Sequence, residues 1–298
     1  EISCSLVGSE MCIRDSIYAV DMRSPVIIFK NVDTMIKHPL NKNEAVLEAV
    51  EKAHNRLLKV LTSIYPSELI VSYNSGIMHH KMINLIARLN GVAPVPYKDK
   101  AYGSCMVVPF GKVLAGVAVP NTVTKTLHTE KYFSRDVLDF TVEESSFYST
   151  LENQIRTIKS FNRPVILVDD LLHKGYRMNA IDPILKANDV EVVETVAGVQ
   201  TGRGRDLMTI KERTVDSAYF LPNLKCWIDE SAMYPYIGGD CMKDRDVSVE
   251  KQGVVPSLNL LLPYAVPSFL GNIPGSSIYE YSMTCLENAR DILKTLEE

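Results

Sequence analysis

Residues 164–177 read PVILVDDLLHKGYR, and the fold can be worked outward from this stretch. Residues 165–168 are continuously apolar and rich in β-branched side chains, the composition of a strand buried on both faces of a parallel sheet. At its end stand Asp169 and Asp170. Two adjacent carboxylates repel each other, and burial raises that cost unless hydroxyl groups or a cation compensate them. Gly175 then leads into a helical pattern over 176–187, interrupted at Asp182-Pro183. The free backbone N–H groups and positive dipole of such a helix start suit a phosphate. Lys174 and Arg177 add two cationic donors there. One short segment thus supplies acceptors for sugar hydroxyls and then donors for a phosphate; the plain alternative is a solvated acidic turn before a basic helix start.

Around this stretch the pattern alternates between strand and helix. Residues 68–73 (ELIVSY) read as a strand, 74–79 as a loop, and 81–89 as a helix closed by Asn90-Gly91. The runs CMVVPF and VLAGVAV within 102–119, broken by Gly111 and Gly116, suggest a hairpin. Residues 143–160 read as a helix, and 190–199 and 218–221 as later strands. Strands alternating with helices predict a doubly wound α/β fold with a parallel sheet. Upstream, 25–29 is a short strand. Asn41 with Glu44 resembles a capping box, and Val46, Val50, Ala53, Leu57, Leu61 and Ile64 follow at helical spacing up to Pro66. The tail from 276 to 298 reads as one helix.

The chain has 298 residues, 46% hydrophobic and 23% charged, with a formal charge of −4, so no global positive field draws it to nucleic acid or acidic lipid. The 6 cysteines include no pair at the spacing of a zinc knuckle or redox loop. The apolar stretch 258–270 is broken by Asn259, Pro263 and Pro267 and is short of the ~20 residues a bilayer requires. These features predict a soluble, cytoplasmic protein. Residues 1–16 (EISCSLVGSEMCIRDS) carry neither period and look like translated adapter sequence.

The segment 164–177 resembles the signature of type I phosphoribosyltransferases, a hydrophobic strand with two acidic residues followed by a Thr-Gly-x-Thr turn before a helix. The resemblance implies that Asp169 and Asp170 contact the ribose hydroxyls of 5-phosphoribosyl-1-pyrophosphate. It also implies that His173, Lys174, Gly175, Tyr176 and Arg177 wrap its 5-phosphate. This chain departs from the pattern where Lys174 and Arg177 replace the threonines, which keeps backbone donors but loses hydroxyl donors. Ser75-Gly76, after the strand 68–73, falls where the family binds pyrophosphate, and is otherwise an ordinary turn. The polar stretch 120–132 falls where the family has a mobile loop. Lys125 and Lys131 there would stabilise charge on departing pyrophosphate, with His128 supplying a proton; the alternative is an exposed loop without a role.

The resemblance implies a Mg²⁺ cofactor held mainly by ligand oxygens and water, with no dedicated protein ligand. It implies a possible homodimer and transfer of ribose 5-phosphate to or from a nitrogen acceptor. The chain then divides into a 1–16 adapter segment, a 17–66 extension, a 67–221 phosphoribosyltransferase-like core, and a 222–298 C-terminal hood and helix. Two other readings stand beside the enzyme. One is a non-catalytic ribose-phosphate sensor. The other is the accessory part of a cytidylyltransferase-related protein, although no His-x-Gly-His motif is present here.

Overall fold

The computed structural model describes residues 21–96, 102–133, 139–145, 147–238, 241–242 and 274–298. The expectations for 1–16 and 258–270 lie outside these residues. In chain order the elements are β1 (Asp21–Lys30), α1 (Val32–Met35), α2 (Glu44–Ile64), β2 (Glu68–Asn74), α3 (Ser75–Leu89), β3 (Met106–Pro109) and β4 (Val123–Thr124). There follow β5 (Thr129–Phe133), β6 (Phe140–Glu144), α4 (Leu151–Ser160), β7 (Val165–Leu172), α5 (Tyr176–Ala187), β8 (Val192–Thr201) and α6 (Gly202–Ile210). The last are β9 (Val215–Leu221), β10 (Cys226–Asp229), β11 (Cys241–Met242) and α7 (Gly275–Glu297).

The larger sheet has five strands in the order β4-β3-β7-β8-β9, and all of its pairs are parallel. Side chains alternate across it as the pleat demands. Met106, Val108, Val165 and Leu167 face a core built with Ile155 of α4, Ile181 of α5 and Met208 of α6. Val107, Ile166 and Val168 face the other way, onto Met78, Met82 and Ile86 of α3. Helices on both faces make this a doubly wound α/β fold. β7 lies in the middle, which is why its sequence is apolar without alternation.

A second parallel sheet has the order β10-β1-β2. One of its faces is covered by α2 and α7, through Leu57, Leu61, Tyr281 and Cys285 among others. From the other face Phe29 and Trp227, stacked with ring centroids 5.4 Å apart, join the α3 layer of the larger sheet. Tyr73 of β2 stacks on Tyr219 of β9 at 4.6 Å, so the two sheets share a core.

Several expectations are corrected. β2 is not a strand of the larger sheet. It pairs with β1, and β1 pairs with β10, so these three strands form the second sheet. Residues 102–119 form no hairpin: β3 pairs in parallel with β4, and the intervening glycines sit in turns. Residues 143–160 are not one helix; β6 ends at Glu144 and α4 starts at Leu151, capped by Thr150. The cap of α2 is Asn43, whose side chain accepts from the Ala45 N–H, rather than Asn41. α3 begins at Ser75, not 81, because Asn74 caps it through the Ile77 N–H. Part of the polar stretch 120–132 is strand, since β5 pairs antiparallel with β6. Among the described residues no helix is long and apolar enough to cross a membrane.

Candidate functional site

In parallel sheets ligands gather beyond the carboxyl ends of the strands. Here the ends of strands from both parallel sheets converge on one cavity of about 1300 Å³. Its wall includes Asn31 after β1, Ser75 after β2, Gly111 after β3, Asp169 and Asp170 of β7, and Asp229 of β10.

Asp169 and Asp170 are both buried. Asp170 is used structurally: its two carboxylate oxygens accept the backbone N–H groups of Lys112 at 2.5 Å and Val113 at 2.9 Å. It therefore holds the loop after β3 against β7. Asp169 Oδ1 accepts from the Asp170 N–H at 2.9 Å and from Arg177 Nη1 at 3.0 Å. Its Oδ2 has no hydrogen-bond partner among the described residues, and Asp169 lines the cavity. Arg177 is largely buried, and its Nε has no partner among the described residues.

A third carboxylate, Asp229, completes the cluster. It pairs with Lys112 Nζ at 2.8 Å and accepts from Asn31 Nδ2 at 2.8 Å and Ser231 Oγ at 3.0 Å. Burial alone would raise its pKa, but Lys112 and these hydrogen bonds hold it below the usual carboxylate range. The Lys112–Asp229 pair ties the loop of one sheet to the strand end of the other.

Beyond β7, His173 Nδ1 lies 2.9 Å from Thr201 Oγ1. Burial lowers the imidazole pKa, with Lys174 and Arg203 acting in the same direction. Gly175 caps α5 with φ of 67°, a left-handed conformation in which glycine carries no steric penalty. Among the described residues no side chain caps this helix, so its first N–H groups lack that partner. Lys131 lines the same cavity, 5.3 Å from the Phe140 ring, and its charge acts on Asp169. His128 also lines it, stacked on Tyr148 at 3.5 Å, with its pKa lowered by burial and then by Lys125. Ser75 is buried on the wall beside Gly76, and its Oγ has no partner among the described residues.

The cavity thus brings together Ser75, Gly76, His128, Lys131, Asp169, Asp170 and residues 173–177. It does not include Lys125, which is exposed and whose backbone N–H bonds to Val107 O at 3.0 Å, prolonging the β4 pairing. Lys112 and Asp229 escaped the sequence reading. The run MVVPF ending in Gly111-Lys112 was a usable signal for Lys112, as an apolar strand closed by glycine and a cation. Asp229 likewise ends the short run Cys226-Trp227-Ile228.

No protein-family model matches the chain, and no curated protein sequence does. Among solved structures, an adenine phosphoribosyltransferase from Thermoanaerobacter pseudethanolicus is similar over 48% of this chain and 80% of that one, at 10% identity with a TM-score of 0.26. The likeness is distant. Function must be read from the cavity itself.

Burial, and next to it the charge of Asp169, pushes the Asp170 carboxyl up to about 6. In an unfolded chain the same group titrates near ~3.9. Between these values the native state keeps a proton that the unfolded state has released. The group therefore favours folding as pH falls toward ~4, and this contribution is lost as pH rises through 6, by roughly 2–3 kcal/mol at most. Thermal melts should show the ligand-free protein gaining stability between pH 7.5 and 5.5. Asp169→Asn, which removes the neighbouring charge, should flatten that gain; identical pH slopes in both proteins would contradict this.

Proposed function

We propose that the cavity binds 5-phosphoribosyl-1-pyrophosphate and that the protein transfers ribose 5-phosphate to or from a nitrogen acceptor. The observation that carries this reading is the sequence of groups along one wall. A buried acidic pair on the cavity wall, with Asp169 Oδ2 lacking a hydrogen-bond partner among the described residues, is followed within a few residues by the uncapped start of α5. Asp169 Oδ2 accepts from the ribose hydroxyls. Asp170 serves indirectly, by fixing the Gly111-Lys112 loop. The 5-phosphate sits on the N–H groups at Gly175, Tyr176 and Arg177, with His173 and Lys174 alongside. Pyrophosphate lies toward Ser75, Gly76 and the loop after β3.

Such a reaction makes little covalent demand on the protein, and positioning with charge stabilisation carries it. Negative charge develops on the departing pyrophosphate, where Lys131 stabilises it and His128 delivers a proton. Lys125 acts only if its loop moves toward the cavity. At about 1300 Å³ the cavity exceeds the ~300–1,000 Å³ of a typical small-molecule pocket, leaving space for an acceptor beside the ribose phosphate.

Mg²⁺ would suit the oxygen donors at this wall, where Asp169 Oδ2 has no hydrogen-bond partner among the described residues. Among the described residues there is no group of three or more metal-ligating side chains, so ligand oxygens and water would complete its shell. When bound, it would neutralise charge on the pyrophosphate. A second reading, a sensor without turnover, is favoured by one observation: Arg177 already occupies Asp169 Oδ1.

Measuring pyrophosphate release with a panel of nitrogen acceptors separates the two. Lys131→Ala and His128→Ala should each lower turnover roughly 100-fold. Wild-type binding without turnover for any acceptor would leave the sensor; turnover unchanged in both variants would remove these residues from the mechanism.

A further inference from the structure

Outside the cavity, one cluster joins a nucleophile, a base and a buried acid from three elements. His54 of α2 is buried, and its Nδ1 lies 2.8 Å from Glu230 Oε2, just after β10. Its Nε2 lies 3.1 Å from the Oγ of Ser72, at an exposed position of β2. Glu230 has 0% exposure, and its other oxygen accepts from the Tyr234 hydroxyl at 3.0 Å. That hydroxyl in turn accepts from Asn288 Nδ2 at 2.9 Å. None of Ser72, His54 and Glu230 lines the cavity described above.

The chemistry of each atom sets the direction of these bonds. Glu230 accepts from the Tyr234 hydroxyl at one oxygen and faces His54 Nδ1 with the other, an arrangement that suits the tautomer bearing its proton on Nδ1. In that tautomer Nε2 accepts, and its partner is the Ser72 hydroxyl. A buried acid fixing the imidazole tautomer, with the far nitrogen on a serine hydroxyl, is the arrangement that activates serine as a nucleophile. Tyr234 and Asn288 hold the carboxylate in place from behind.

We propose that Ser72, His54 and Glu230 form a second reactive centre, with Ser72 as a nucleophile toward carboxylic esters. Ser72 Oγ forms a bond to the ester carbonyl carbon while its proton passes to His54 Nε2. The bond from that carbon to the alkoxy oxygen breaks, and the alkoxide leaves with the proton from Nε2. Water then adds to the acyl-serine, giving a proton to Nε2. The Ser72 Oγ–carbon bond breaks, Oγ recovers that proton, and a carboxylic acid is released. Among the described residues β2 is an edge strand. In a strand, successive residues aim their backbone N–H groups to opposite sides. Either Ser72 itself or its neighbours Val71 and Tyr73 therefore present outward N–H groups to a developing oxyanion.

The test uses the full chain and a fluorophosphonate probe, which phosphonylates an activated serine with loss of fluoride. Intact mass and peptide mapping should show one adduct, on Ser72, absent from Ser72→Ala. Ser72→Ala leaves the His54–Glu230 pair in place, so its fold is checked by circular dichroism. Labelling of the native chain should exceed that of the urea-unfolded chain by roughly 100-fold or more, since activation depends on His54 and Glu230 being held in place. A folded wild type that takes no label at Ser72, or native and unfolded chains labelled there at equal rates, would overturn the proposal and leave the cluster as a tether between α2, β2 and β10.

Discussion

Replacing Gly111 by alanine is expected to lower stability by about 2–5 kcal/mol and to remove ligand binding with it. A Cβ at this position would lie 2.5 Å from Asp170 Oδ1, 2.7 Å from its Cγ and 2.7 Å from its backbone N. One of these neighbours is main chain of the central strand, which cannot move cheaply. The loop after β3 must retreat instead, and both N–H bonds to Asp170 from Lys112 and Val113 would be strained or lost. Buried donors and acceptors left unpaired cost about 1–3 kcal/mol each. Urea unfolding with an unchanged slope and a lower midpoint is the expected signature. An unchanged midpoint would mean that the loop is not anchored on Asp170.

The second large effect concerns Arg177→Met. Arg177 is the cation nearest the acidic pair, and its pKa is raised: burial would lower it, but Asp169 and Asp170 outweigh that. Methionine keeps much of the packing volume and leaves two adjacent buried carboxylates without this partner. Removing one member of a buried ion pair costs about 3–5 kcal/mol. That loss should grow as pH rises, because ionisation of the two acids restores their mutual repulsion. It should shrink toward pH 5, because burial raises both carboxyls and protonation relieves the repulsion. Denaturant midpoints measured against pH report it. A loss independent of pH would assign Arg177 a packing role only.

What the sequence made legible was local. The apolar run into Asp169-Asp170 marked β7, because a strand buried on both faces carries its burial in its own composition. Helical spacing of Val46, Val50, Leu57 and Leu61 likewise marked α2. Pairing partners are not local, and there the reading failed. ELIVSY was correctly a strand, but nothing in those residues says that its neighbour is β1 rather than β7. VLAGVAV is apolar enough for a strand, yet residues 113–116 form a turn and 117–119 are irregular. Part of 120–132 is polar enough for a loop, yet β6 supplies it with an antiparallel partner. The charge cluster suffers most from this limit. Lys112, Asp229 and Asp170 are far apart in the chain, and only the packing of one sheet against the other brings them onto a single wall. Ser72, His54 and Glu230 are separated in the same way.

Calorimetric titration with 5-phosphoribosyl-1-pyrophosphate, with and without Mg²⁺, tests the central claim most directly. The wild type should bind saturably at micromolar concentration, and Asp169→Asn, which alters a carboxylate that lines the cavity, should weaken binding roughly 100-fold. A folded wild type that gives no binding heat at any ratio, or an Asp169→Asn variant that binds as tightly as wild type, would contradict it.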